Sequence, residues 1–263
     1  MIELVGVGVR FGEVIALHPT NITFRRGEFA VLLGASGAGK STLLRCLNYL
    51  NTPTSGHVIV EGVGDLADPR ALHEHRRGTG TVFQQHQLIG RLSALRNVLM
   101  GRLGYHSTLR TLFPLSEDDH VIALESLDRV GLLQKARNRV DQLSGGEQQR
   151  VGIARAIAQR PRIVLADEPV ASLDPATSIK VLSLLKDVCQ ETKIPAVVSL
   201  HQLELARQFA DRIVVIAHGR VVYDGASAAI SDENLAAIYV QTAPIPRDSC
   251  GEPALTFETV TTH

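Results

Sequence analysis

The sequence predicts an α/β fold built on a parallel β-sheet, and three observations predict it. Phe29–Leu33 is a short, continuously apolar run, the pattern of a strand buried on both faces, and strand-like runs recur at Ile163–Ala166 and Ala196–Leu200. A helical stretch, Ala176–Glu191, separates the last two, as a parallel crossover requires. A glycine-rich turn joins the first run to a helical pattern that begins at Ser41. Composition agrees with a globular chain: 44% hydrophobic and 21% charged residues exclude the disordered and collagen-like classes. The 263 residues suffice for one large domain or two small ones.

Taken in order, the first thirty or so residues alternate as strands do. Leu4, Val7 and Val9 lead to Phe11-Gly12, and Ile15, Leu17, Ile22 and Phe24 lead to a turn at Arg25–Glu28. After the buried run Phe29–Leu33, Ser41–Leu50 reads as a helix with Leu43, Leu44, Leu47 and Leu50 on one side. Pro53, Ser55 and Gly56 end that unit, and His57–Gly62 returns as a strand. From about Gln87 to Ala158 the character changes. Leucines recur at helical spacing in Leu92–Leu103 and Val121–Leu133, which predicts a helical insertion at about 87–158. Strand-like runs resume at Ile163, Ala196 and Ile213. The expected organisation is one domain over 1–242 and a loose tail over 243–263, where Pro244, Pro246 and Pro253 fall.

Charge and cysteine content narrow the function. Lysine plus arginine total 27 and aspartate plus glutamate total 27, a balance unlike the basic face of a dedicated nucleic-acid binder. Aromatics are 4% and tryptophan is absent, so base-stacking platforms are scarce and no nucleic-acid partner is expected. No apolar run approaches the ~20 residues of a membrane span, and Met1–Val5 lacks a secretory pattern. Cys46, Cys189 and Cys250 form no CxxC, which suggests neither a disulfide framework nor a zinc site. The chain reads as soluble, intracellular and reduced.

Two motifs carry phosphate chemistry. Gly34, Ala35, Ser36, Gly37, Ala38, Gly39, Lys40 and Ser41 fit G-x-x-x-x-G-K-[ST] at every fixed position, between a buried strand and a helix, and Thr42 completes the stretch. Glycines let backbone N–H groups curl round phosphate oxygens, and the helix N-terminus adds partial positive charge. Lys40 is expected on the β- and γ-phosphates of a nucleotide and the Ser41 hydroxyl on Mg²⁺. The strand Ile163–Ala166 ends in Asp167 and Glu168, at the strand end where α/β sheets bind ligands. Asp167 suits the Mg²⁺ shell, and Glu168 suits a general base that polarises the attacking water.

The third motif points to a family. Leu143-Ser144-Gly145-Gly146-Glu147-Gln148-Gln149-Arg150 opens a helical run, making a second anion-binding helix N-terminus. This stretch resembles the signature motif of the ATP-binding-cassette (ABC) ATPases, and the motif order matches along nearly the whole chain. The resemblance implies a RecA-like parallel-sheet core with an N-terminal antiparallel β subdomain and an inserted α-helical subdomain. It also implies roles. Gln84 resembles the Q-loop glutamine, serving catalysis and the metal; Ser172-Leu173-Asp174 the D-loop; and His201 the switch histidine. Phe11 stands where the family often stacks an aromatic on adenine. Glu147 stands where many members carry glutamine.

One chain holds one phosphate loop and one signature, and the resemblance implies that they face different nucleotides. Two copies would pair head to tail, with ATP closing the homodimer and hydrolysis reopening it. A transport ATPase without spans implies two transmembrane permease subunits and an extracytoplasmic solute-binding protein, with this chain peripheral on the cytoplasmic face of the inner membrane. Within the family, Leu43–Asn48, Val82–Gln85, Leu88–Gly104, Asp167–Pro175, Val198–Gln202 and the segment Thr108–Asp119 are similar to the ATPases of phosphonate importers, a group with phosphite and hypophosphite relatives. The alternatives are an importer ATPase for another small solute such as an amino acid or phosphate, or a non-transport cassette ATPase. A P-loop kinase would lack Leu143–Arg150 and His201.

Overall fold

A computed structural model describes residues 1–83, 87–107, 114–231 and 233. Strands β1 (Ile2–Phe11) and β2 (Val14–Phe24) form a hairpin, β3 (Phe29–Leu33) leads to helix α1 (Lys40–Leu47), and β4 (Ser55–Val60) and β5 (Gly64–Asp65) return to the hairpin. Helix α2 (Pro69–Arg77) and β6 (Thr79–Val82) precede α3 (Ala94–Leu99), α4 (Glu117–Arg129) and α5 (Gly145–Ala158). The chain then alternates through β7 (Ile163–Asp167), α6 (Pro175–Thr192), β8 (Ala196–Leu200), α7 (Leu203–Phe209), β9 (Arg212–Ala217) and β10 (Arg220–Ala226).

These elements build two sheets. An antiparallel sheet of four strands has the order β2-β1-β4-β5, and a six-stranded sheet has the order β10-β9-β3-β8-β7-β6. In the second, β6, β7, β8, β3 and β9 run parallel, and β10 pairs antiparallel with β9 at the edge. The apolar run of β3 occupies an inner position and is buried throughout. Phe29, Val31 and Leu33 face a core shared with α5 and α6, whereas Ala30 and Leu32 face a second core with α1 and the antiparallel sheet. Period-two alternation therefore splits one continuous apolar run between two cores.

Local chemistry moves several boundaries. α1 stops at Leu47, short of Leu50: Asn48 caps it, Tyr49 turns to φ 52°, and Leu50 is 53% exposed. Leu43, Leu44 and Leu47 keep the buried face, each contributing about 1.5–3 kcal/mol by burial. α4 starts at Glu117, ahead of its leucine pattern, because Ser116 and Asp119 close a capping box there. The leucine pattern of Leu92–Leu103 splits into α3 and a 3₁₀ stretch, Met100–Tyr105. α2, β6 and β10 add to the elements read from the sequence. α2 carries a start signal, since Asp68 accepts from the Arg70 and Ala71 N–H groups and Pro69 opens the helix.

α3, α4 and α5 pack on one another. Their junction holds a buried ion pair: Arg102 Nε donates to Asp119 Oδ1 at 2.9 Å, and the same guanidinium reaches the carbonyl of Ala158 at the end of α5. Burial pushes the Asp119 carboxyl up, but hydrogen bonds from Ser116, Arg102 and His106 reverse this and hold it well below the usual carboxylate range. The tail 243–263 and residues 108–113 of the segment Thr108–Asp119 lie outside the described residues.

Candidate functional site

The phosphate loop leaves the C-terminal end of β3 and enters α1 through glycines that other residues could not replace. Gly39 caps α1 at φ 111°, and a Cβ there would sit 2.8 Å from the Ala16 carbonyl. A Cβ on Gly34 would lie 2.2 Å from the Ile216 carbonyl. Gly37, at φ 77°, meets open space on the side where its Cβ would be. The loop is thus clamped on its inner side by β2 and β9 and open at its crest. No side chain caps α1, and its first turn carries no acid. An uncapped helix start of this kind is a ready anion site.

Lys40 is almost wholly buried, at 3% exposure. Its ammonium donates to the carbonyls of Gly34 (2.8 Å) and Ala35 (3.0 Å) and approaches His201 Nδ1 at 3.3 Å. Burial pushes the Lys40 ammonium down from its ordinary value, and the Glu168 and Asp167 carboxylates oppose this. An ammonium has no acceptor, so His201 Nδ1 must accept and the ring proton of neutral His201 sits on Nε2. That Nε2 hydrogen-bonds Glu168 Oε1.

Three strand ends therefore converge. Ser41 Oγ donates to Asp167 Oδ1 at 2.9 Å, joining the start of α1 to the end of β7. Ser199, on β8, donates to the same oxygen at 2.9 Å and accepts the Glu168 N–H at 2.8 Å. Glu168 itself turns to φ 48° and leaves the strand direction. Sequence reasoning passed over Ser199; its only signal was one hydroxyl in an otherwise aliphatic buried strand. A serine hydroxyl and one carboxylate are hard oxygen donors that fit Mg²⁺, which takes few protein ligands and keeps water and phosphate for the rest. Among the described residues, no group of three or more His, Cys, Asp or Glu is placed to hold a metal.

The signature stretch lies elsewhere. Ser144 caps α5 by accepting the Glu147 N–H at 3.3 Å, and Glu147 returns a carboxylate oxygen to the Ser144 N–H at 3.0 Å. Lys135 pairs with Glu147 at 2.5 Å. Ser144, Gly145, Gly146 and Glu147 line a depression of about 370 Å³ with Ser172, Leu173 and Asp174. Asp174 caps α6 by accepting the Thr177 N–H at 3.0 Å. Gly146 lets the two helix starts meet, since a Cβ there would lie 2.6 Å from Thr177 Cγ2. Phe11, at the end of β1, is 55% exposed, beside Val14 across the hairpin. Gln84 lies outside the described residues.

A phosphate loop at the C-terminal edge of a parallel sheet, with an acidic pair on a neighbouring strand, defines the P-loop nucleotide hydrolases. The antiparallel sheet, the helical subdomain and the capped signature helix narrow that class, and comparison completes it. The ABC transporter family model matches residues 17–171. The chain belongs to the ABC transporter family, as an ATP-binding, ATP-hydrolysing subunit. It is 60% identical to the phosphonates import ATP-binding protein PhnC 3 of a Nostoc species, over 91% of this chain and 92% of that one. It is 59% identical to the phosphite import ATP-binding protein PxtA of Stutzerimonas stutzeri, over 94% and 90%. Among solved structures, a dimeric post-hydrolysis state of an ATP-binding cassette bound to ADP and Pi superposes with a TM-score of 0.75 and 36% identity, covering 86% of this chain and 99% of that one. The expected fold class stands in full. No helix among the described residues is long and apolar enough to cross a membrane.

Proposed function

We propose that this chain powers a bacterial importer of phosphonates, or of the related phosphite, through separate membrane subunits. The observation that carries the cargo reading is the near-60% identity, over nine-tenths of the chain, to both a phosphonate and a phosphite import ATPase. The chain works as a homodimer on the cytoplasmic face of the inner membrane, with two permease subunits and an extracytoplasmic solute-binding protein. Residues 1–242 form the cassette, with the helical insertion at about 87–158.

The geometry of the phosphate loop and the acidic pair supports the roles near α1, and the family resemblance supports those of Gln84, Phe11 and the signature. The N–H groups from Gly34 to Thr42 and the Lys40 ammonium bind the ATP phosphates; the phosphates replace the Gly34 and Ala35 carbonyls as acceptors for Lys40. Ser41 and Asp167, with Gln84, would hold Mg²⁺, which neutralises charge on the phosphates. Glu168 takes the proton of the attacking water, and His201 orients it through the Nε2 contact. Phe11 supports the adenine. Ser144, Gly145, Gly146, Glu147 and Asp174 face the nucleotide of the partner copy, so hydrolysis is tied to dimer closure. The dimeric cassette with ADP and Pi supports the pairing of two copies.

The test is uptake of labelled methylphosphonate, phosphite and phosphate by cells that carry the complete transporter, with this chain intact or as Lys40→Ala. Lys40-dependent entry of either of the first two supports the cargo reading. Entry of phosphate alone, or of none, refutes it and leaves the ATPase in place.

A further inference from the structure

The geometry points to Ser199 as a positioning residue that sets the metal carboxylate and the base relative to each other; this rests on the roles proposed for Asp167 and Glu168. β7 and β8 pair in parallel with Asp167 opposite Ser199. Ser199 is fully buried, and its strand neighbours Ala196, Val197, Val198 and Leu200 are all apolar and buried. An aliphatic side chain would serve packing there, and a hydroxyl left unpaired would cost about 1–3 kcal/mol. Both of its bonds go to functional residues. It donates to Asp167 Oδ1 and accepts from the Glu168 N–H.

The two bonds do different things. Glu168 sits at φ 48°, a conformation that costs a residue with a Cβ roughly 1–2 kcal/mol. The bond from its N–H to Ser199 Oγ holds that turn, and the turn brings the carboxylate to His201 Nε2. The Ser199 O–H meanwhile shares Asp167 Oδ1 with Ser41, fixing the carboxylate over the start of α1. One hydroxyl therefore ties the group that holds Mg²⁺ to the group that takes the proton. Ser199 bonds Asp167 and Glu168, so its effect passes through those two partners.

Ser199→Ala and the near-isosteric Ser199→Cys test this in the full chain. Both should stay folded, with melting temperature lowered by no more than a few degrees, and bind ATP normally in EDTA. Both should turn over ATP about tenfold more slowly at little-changed KM, the loss expected for one hydrogen bond to a charged group. Both should also need several-fold more Mg²⁺ to tighten a fluorescent ATP analogue, a binding readout independent of turnover. Wild-type kcat and Mg²⁺ response in both variants would overturn the assignment. So would a joint loss of melting temperature and Mg²⁺-free binding, since the hydroxyl would then hold the fold and not the alignment. Glu168→Gln, run alongside, separates the failures. Rapid hydrolysis by Glu168→Gln sinks the base reading itself, whereas an inactive Glu168→Gln beside a wild-type Ser199→Ala sinks only the Ser199 role.

Discussion

The two glycine-rich helix starts of this chain, at α1 and α5, are finished in opposite ways. α1 begins at Gly39 with no side-chain cap and no acid in its first turn. α5 begins at Ser144 with a complete capping box, and the carboxylate that closes it is itself paired to Lys135. The first leaves its N–H groups for a ligand. The second has its Ser144 and Glu147 N–H groups already capped within one chain, so under the proposed head-to-tail arrangement it would meet a partner's nucleotide preformed. The difference teaches where affinity and where coupling reside. On the proposed reading, binding belongs to α1, and the signature contributes shape that ATP itself need not induce.

The largest expected effect tests the chemistry beside α1. Glu168→Gln should bind ATP as wild type while turnover falls about 10²–10⁴-fold, the usual contribution of a positioned base; single-turnover hydrolysis measures it. If ATP does not drive this variant into a dimer, the two starts do not cooperate as proposed. Next is the junction at the far end of α5. Asp119→Asn removes one member of the buried Arg102–Asp119 pair and should cost about 3–5 kcal/mol of stability, read by urea unfolding. The same carboxyl sets a pH dependence. Its folded-state pKa is depressed, so its stabilisation is present above the unfolded value of about 4 and is lost as pH falls through the folded one. Melting temperature should therefore drop below pH ~4 more steeply in wild type than in Asp119→Asn.

Lys40→Ala comes third. It removes a charged donor from the phosphates and should weaken ATP by roughly 10–100-fold in equilibrium binding. The smallest effect sharpens the comparison most. Ser144→Ala deletes the α5 cap and should cost about 1 kcal/mol of stability. ATP affinity of the isolated chain should stay unchanged while ATP-driven dimerisation weakens. A drop in single-chain affinity would mean that the signature acts within its own chain.

Much of this site was legible as sequence because local rules dictate it. The G-x-x-x-x-G-K-S run requires left-handed glycines and a helix start wherever it sits. Ile163–Ala166 had to be buried, and Asp167-Glu168 had to end it. Ser144 and Glu147, three residues apart before an apolar helix, already spell a capping box. α2 was legible too, from Asp68-Pro69, but its polar surface hid the periodicity. β6, Thr79–Val82, carries a single large aliphatic residue, so only its neighbour β7 makes it a strand.

What the sequence by itself determined are the features held by backbone geometry and short-range pattern: the phosphate loop, the buried parallel strands, the capped signature helix and, through motif order, the family. What only the tertiary structure decided are the contacts across strands: Ser41 with Asp167, Ser199 with both acids, His201 between Lys40 and Glu168. Those partners lie between 31 and 161 residues apart in the chain. No local propensity acts over such separations. The parallel register of β3, β7 and β8 brings them within a hydrogen bond.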